Sequence, residues 1–206
     1  MTKSILITGT SSGIGKALAI KFRDEGWKVL EHRGRSDSDL CFPLNVKIAS
    51  EFAKNSNVDV VVNNAAITCP GIAISEYTDH QLSNMIMVNL VAPMLLIKNL
   101  YTHLKEKNGL FVNINSMVGL EYKKSRSVYA AGKWGLRAFS ESLKLDKEVD
   151  LLDVYLSNVA TTPERKNALD LDFVIDNIFN SIQNRHTRLI LDGRPNGGKT
   201  VWEKEF

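Results

Sequence analysis

The chain has 206 residues, 44% of them hydrophobic and 24% charged, with a formal net charge of +3. That length and balance suit one soluble domain with a substantial core, residues 1–206, and leave little room for two. The small charge and the lack of a long basic run argue against a nucleic-acid binder, and apolar stretches that are short or interrupted by polar residues predict no membrane span. Met1 leads straight into an apolar strand with no signal peptide. Cys41 and Cys69 give neither a disulfide framework nor a metal spacing, and the four histidines are scattered. A cytoplasmic protein with reduced thiols and no metal is expected.

Taken in order, Ser4–Thr8 reads as a short buried strand. It runs into T-G-T-S-S-G-I-G, residues 8 to 15, and then into a helical pattern over Lys16–Glu25. Gly9, Gly13 and Gly15 at a strand-to-helix turn let the backbone approach a ligand closely. The amides of Ser11, Ser12 and Ile14, with the helix dipole, favour a pyrophosphate there. Gly26–Arg33 is a second strand and Leu40–Leu44 a third, with Ala49–Asn55 a short helix. The β-branched run Val58–Val62 predicts a strand buried on both faces and ends in Asn63-Asn64-Ala65-Ala66. Cys69 follows and is read as a bystander thiol. Asp79–Glu106 is the longest helical pattern; inside it Pro93 lacks the N–H that would bond the Asn89 carbonyl, so a kink is expected at Asn89.

Gly109–Asn115 is the next strand and delivers Ser116 at its C-terminal end, the edge where open α/β sheets bind ligands. Tyr129 and Lys133 follow, four residues apart, which places them one turn apart on one helix face. A phenol titrates near ~10 and is a poor acid or base at neutral pH. An ammonium close to it favours the phenolate, and a serine hydroxyl stabilises an oxygen that gains charge. Small residues then recur at Ala130, Ala131, Gly132, Gly135 and Ala138. Leu151–Ser157 and Arg188–Leu191 are the last strands, with a helical pattern from Leu171 between them. Gly193–Thr200 reads G-R-P-N-G-G-K-T, which matches a phosphate-binding loop, but too few residues remain for the helix such a loop requires. Residues 193–206 are read as a glycine-rich tail packing against the body or a partner subunit.

The G-x-x-x-G-x-G spacing, with Ser116 and Y-x-x-x-K, resembles the short-chain dehydrogenase/reductase family over roughly Lys3 to Ser157. The resemblance implies a doubly wound, Rossmann-like parallel sheet, strand order 3-2-1-4-5-6-7, binding a dinucleotide. It implies hydride transfer between NADP(H) and a carbonyl/alcohol pair, with Tyr129 as acid/base, Ser116 orienting the carbonyl, and Lys133 lowering the tyrosine pKa and holding the nicotinamide ribose. Relatives that prefer NAD carry an acid at the end of the second strand; here stand Arg33 and Arg35, whose guanidinium groups suit a 2′-phosphate. NADP is therefore expected over NAD. By the same resemblance Asn45-Val46 lies beside adenine, Asn63 and Ala65 lie along the cofactor, and Thr161 or Thr162 is a candidate for the nicotinamide contact. Asn89 matches a residue whose main-chain carbonyl links through a water to the active-site lysine. The tyrosine-bearing helix and the one before it imply a homodimer or homotetramer. The family's helix between the second and third strands is missing, and the substrate-covering segment is shortened. A dinucleotide-binding sensor or scaffold without turnover is the rival from another class, and a sugar-nucleotide epimerase or dehydratase the enzymatic one.

Overall fold

The first apolar run forms β1, Ser4–Thr8, buried along its whole length, as a strand covered on both faces must be. The computed structural model describes residues 2–34, 39–68, 71–162, 165, 167–194 and 199–203. Ile5 and Ile7 point to one side of the sheet and Leu6 to the other, the two-residue period of a strand. On the first side α1, Gly13–Asp24, inserts Leu18 and Phe22. The edge strand β2, Lys28–His32, runs parallel to β1.

The segment expected as a third strand does something else. Pro43–Asn55 is a helix, α2, and residues 40–44 do not join the sheet. Pro43 stands at the start of the helix, where its fixed φ is already helical and its missing N–H is one the first turn leaves unbonded. Val46, Ala49, Ser50 and Ala53 then fall on one face and are buried, the period of an amphipathic helix. β3, Val60–Asn63, continues the sheet on the other side of β1.

The long helical run opens with α3, Asp79–Ile86, capped by Thr78, whose hydroxyl accepts from the Gln81 N–H. It passes through a π-turn at Met87–Val91 into α4, Ala92–Glu106. As one run of 28 residues, Asp79–Glu106 is long and apolar enough to cross a membrane by length and composition alone. That differs from the expectation that no stretch is. Here α4 is a core helix: Leu96, Ile97, Leu100 and Leu104 are buried against the sheet.

β4, Leu110–Ser116, leads to α5, Ser127–Leu145, and then to β5, Asp150–Leu156. α6, Leu171–Gln183, and β6, Arg188–Asp192, follow. β7, Lys199–Glu203, pairs antiparallel with β6 and was not foreseen. The sheet order is β2-β1-β3-β4-β5-β6-β7. With the absent third strand left out, the expected neighbours are all present. A strand, not a helix, begins at Lys199-Thr200, so the G-x-x-x-x-G-K-T match lacks its anion-binding helix.

Candidate active site

Thr8 ends β1 with its hydroxyl in the middle of a staple. Its Oγ1 donates to the Val62 carbonyl at 3.2 Å and accepts from the N–H groups of Asn64 and Ala65, both at 3.0 Å. Asn64 returns the tie through Nδ2 to the Thr8 carbonyl at 2.8 Å and the Gly9 carbonyl at 3.2 Å. The loop is thereby pressed onto β3, and only glycine fits. A Cβ on Gly9 would come within 2.8 Å of the Ala65 Cα, and one on Gly15 would overlap the Gly9 carbonyl oxygen. Gly13 turns the chain at φ +57°, a conformation that costs other residues strain.

The start of α1 is prepared for an anion. Ser12 is its N-cap yet makes no side-chain capping bond, and the first turn holds no acid. Its N–H groups and the positive end of the helix dipole thus face the adjoining trough with no acid in the helix's own first turn. That trough, of about 590 Å³, is lined by Gly9, Ser11, Ser12, Gly13, Ile14, Arg33, Ala65 and Thr161, with Asn64, Asp39 and Leu40. The donor set and the close backbone fit a dinucleotide. Thr161 packs over Gly13.

Several expected cofactor contacts stand elsewhere. Gly15 lies behind the loop and closes it on β3 rather than lining the trough. Asn63 is buried within the sheet, donating to Asn113 Oδ1 at 2.8 Å. Its neighbour Asn64 faces the trough instead, because side chains alternate along an extended chain. Val46 is fully buried in the core and Asn45 donates to the Asp39 carbonyl at 2.9 Å. Neither lines the trough: folding 43–55 as a helix turns them inward, and Asp39 and Leu40 take the wall. Arg35 and Cys69 lie outside the described residues.

A second cavity, about 740 Å³, continues from the trough through Ile14, Asn64, Ala66, Thr68 and Thr161. Ser116, Tyr129 and Lys133 all line it. The end of β4 is locked to α5 by Asn115, whose Nδ2 donates to the Lys133 carbonyl at 3.2 Å while its Oδ1 accepts from the Ser116 N–H at 2.8 Å. This side chain sets the serine relative to the lysine, and sequence reasoning missed it. Its only signal is that it is one of two asparagines, with Asn113, in a buried strand. The far wall comes from the segment after β5, which is pinned by bonds from Ala160 N–H to the Leu169 carbonyl and from Leu169 N–H to the Asn158 carbonyl, both 2.8 Å.

The electrostatics differ from expectation. Burial raises the Tyr129 pKa above its ordinary value, and what pulls against burial is a hydrogen bond with Ser116 and the charge of Arg126. Lys133 is not the group that holds it down: its Nζ donates to the Ile114 carbonyl at 2.9 Å and stands 5.8 Å from the centroid of the Tyr129 ring. Burial lowers the Lys133 pKa to about 8, because an ammonium loses its hydration there. Arg126, just before α5, was not singled out from the sequence, since no motif marks it.

Asn89 sits at the centre of the π-turn and is buried. Its side chain brackets the Ile67 backbone, Oδ1 accepting the N–H and Nδ2 donating to the carbonyl, both at 2.8 Å. Where a kink is expected at Asn89, the helix has a π-turn. The small residues of α5 serve this junction: a Cβ on Gly132 would stand 3.1 Å from the Asn89 Cβ, and one on Gly135 2.9 Å from Leu90.

The chain matches the family model described as short chain dehydrogenase over residues 44–167, more than half its length. An uncharacterized oxidoreductase of Thermotoga maritima is 31% identical over 165 residues, 70% of this chain and 65% of that protein. A 3-oxoacyl-(acyl-carrier-protein) reductase of Rickettsia prowazekii is 29% identical over 211 residues, 95% of this chain and 82% of that one. Among solved structures, an alcohol dehydrogenase from the archaeon Thermococcus sibiricus, complexed with 5-hydroxy-NADP, shares the fold at a TM-score of 0.83. It is 21% identical, with 97% of this chain and 100% of that one covered.

Proposed function

Because the chain belongs to the short-chain dehydrogenase family, and so is an enzyme of the oxidoreductase class, we propose that it moves a hydride between NADP(H) and a carbonyl/alcohol pair. One observation carries the reading: Ser116, Tyr129 and Lys133 share a cavity that opens directly into the glycine-lined trough.

When bound, the nicotinamide supplies the hydride in reduction and accepts it in oxidation. The chain's own groups do the rest. The Ser116 hydroxyl orients the substrate carbonyl and donates to its oxygen as negative charge grows there. Tyr129 gives that oxygen its phenolic proton in reduction and takes one back in oxidation. Lys133, with a pKa near 8, is poised to pass a proton to Tyr129 at neutral pH. The Asn89 carbonyl, left without its α-helical donor by Pro93, is the next station of this path in our reading. Arg33 lines the trough, and its guanidinium suits a 2′-phosphate, which favours NADP over NAD.

The reading includes a small-molecule substrate and a cytoplasmic homodimer or homotetramer. Ala131 and Ala138 are exposed on the outer face of α5, where their small size lets a second copy approach closely. A binder without turnover would have no need for a tyrosine bonded to Ser116 at the cavity wall. The test is a panel of carbonyls with NADPH and of alcohols with NADP⁺, followed at the nicotinamide absorbance. Oxidation or reduction of any pair is the expected result, and tight dinucleotide binding with no turnover across the panel overturns it.

A further inference from the structure

Among its described lining residues the catalytic cavity carries more positive than negative charge. The cations among them are Lys123, Arg126, Lys133, Arg165 and Arg194, and the acid is Glu121. That acid is already engaged: Arg194 pairs with Glu121 at 2.6 Å and with Asp192 at 2.6 Å. Lys133 is buried at the catalytic centre. Arg165 comes from the same wall segment as Thr161, on the dinucleotide side, and donates to the Val159 carbonyl at 3.4 Å. Lys123 and Arg126 come from a different segment, the stretch between Ser116 and α5. Arg126 precedes Tyr129 by three residues, about one helical turn, and its charge acts on the phenol.

We infer that the substrate bears a carboxylate close to the carbonyl that is reduced, and that Lys123 and Arg126 receive it. This rests on the hydride-transfer reading above. A cleft with walls of low dielectric and one sign of charge concentrates ions of the other sign. The guanidinium fork adds a bidentate geometry that matches a carboxylate. The position beside Tyr129 matters as much as the charge. A carboxylate held at Arg126 fixes the neighbouring carbonyl within reach of the phenol and Ser116, so binding and alignment are one event. The substrate class is then an oxo acid, and in the reverse direction the matching hydroxy acid. A cationic substrate is repelled, and a neutral one lacks the anchor.

The test uses the whole chain with NADPH and a set of oxo acids, each paired with its methyl ester. The expected kcat/KM is about tenfold or more higher for the acid than for its ester, the scale of a charge-assisted hydrogen bond. Raised salt should flatten that preference. In Arg126→Gln and in Lys123→Gln the acid-to-ester ratio should fall about fivefold or more, while Lys123→Arg should keep it. The loss in Lys123→Gln should appear chiefly in KM. Esters turned over as well as their acids overturn the inference and leave the hydride-transfer reading standing. No turnover of either partner in any pair overturns both.

Discussion

The two halves of the site are made of different materials. The trough is built from backbone: glycines packed against β3, amides at the start of α1, and Thr8 and Asn64 stapling one to the other. The cavity beyond it is built from side chains, Ser116 from the end of β4 and Tyr129 and Lys133 from one face of α5. A backbone site is intolerant of added volume and indifferent to most side-chain chemistry. A side-chain site is the reverse. Each half should therefore fail in its own way.

The largest effect is expected in the cavity. Tyr129→Phe keeps the ring and removes the proton, so turnover should fall by at least ~100-fold. Dinucleotide binding, measured by protein fluorescence, should persist. A variant that keeps its rate would mean that another group moves the proton. In the trough the sensitive position is Gly15. Gly15→Ala drives a methyl into the Gly9 carbonyl, and overpacking of this kind typically costs ~1–3 kcal/mol. NADPH affinity should weaken by roughly tenfold or more, in calorimetry, through a residue that does not line the trough. Unchanged affinity would show that the loop is not held as tightly as its staple implies.

A charge test comes next in size, because Arg33 is one of the few places where the trough uses a side chain. Arg33→Asp should narrow or invert the preference for NADPH over NADH, by about tenfold. Equal affinities in the parent protein would remove the basis for an NADP enzyme.

The smallest effect concerns Lys133 and stability. Its pKa is about 8 in the folded chain and 10.5 ordinarily. Below the folded value the lysine is protonated in both states and the burial cost is fully present. Between the two values only the unfolded chain keeps the proton, so this residue's contribution to stability rises with pH. The stability gap between Lys133→Met and the parent, from urea midpoints, should thus shrink by about 1 kcal/mol between about pH 7.5 and about pH 9. A constant gap would mean that the ammonium is not desolvated.

The contrast between the halves also explains what could be read in the sequence. The glycine spacing and the Tyr129–Lys133 interval are local patterns, set by one turn or one helix, and they were legible. So was the sheet order, apart from the strand that does not form. Helix α2 starts before its apolar pattern shows, because Pro43 is a first helical residue, and that start removes the expected roles of Asn45 and Val46. Asn64 and Asn63 differ only in which way a strand end faces, which composition does not reveal. Asn115 acts through a partner distant in sequence, the Lys133 carbonyl 18 residues away, and Arg126, only three residues before Tyr129, belongs to no motif. The β7 pairing with β6 is a tertiary event, and the segment that makes it reads as a loop motif.

The π-turn at Met87–Val91 has a geometric consequence. A π-turn takes one residue more than an α-turn, and a residue on an α-helix subtends about 100°. The inserted residue rotates the buried stripe of α4 out of phase with that of α3. Met85 on α3 accordingly meets Val118, Val128 and Tyr129, the packing around the Tyr129 ring. Leu96, Ile97, Leu100 and Leu104 on α4 meet the sheet instead. One rod thus faces two cores, and the point where its phase slips is Asn89. Deleting a single residue from the turn would bring the two stripes back into line and force one of the cores to release its helix.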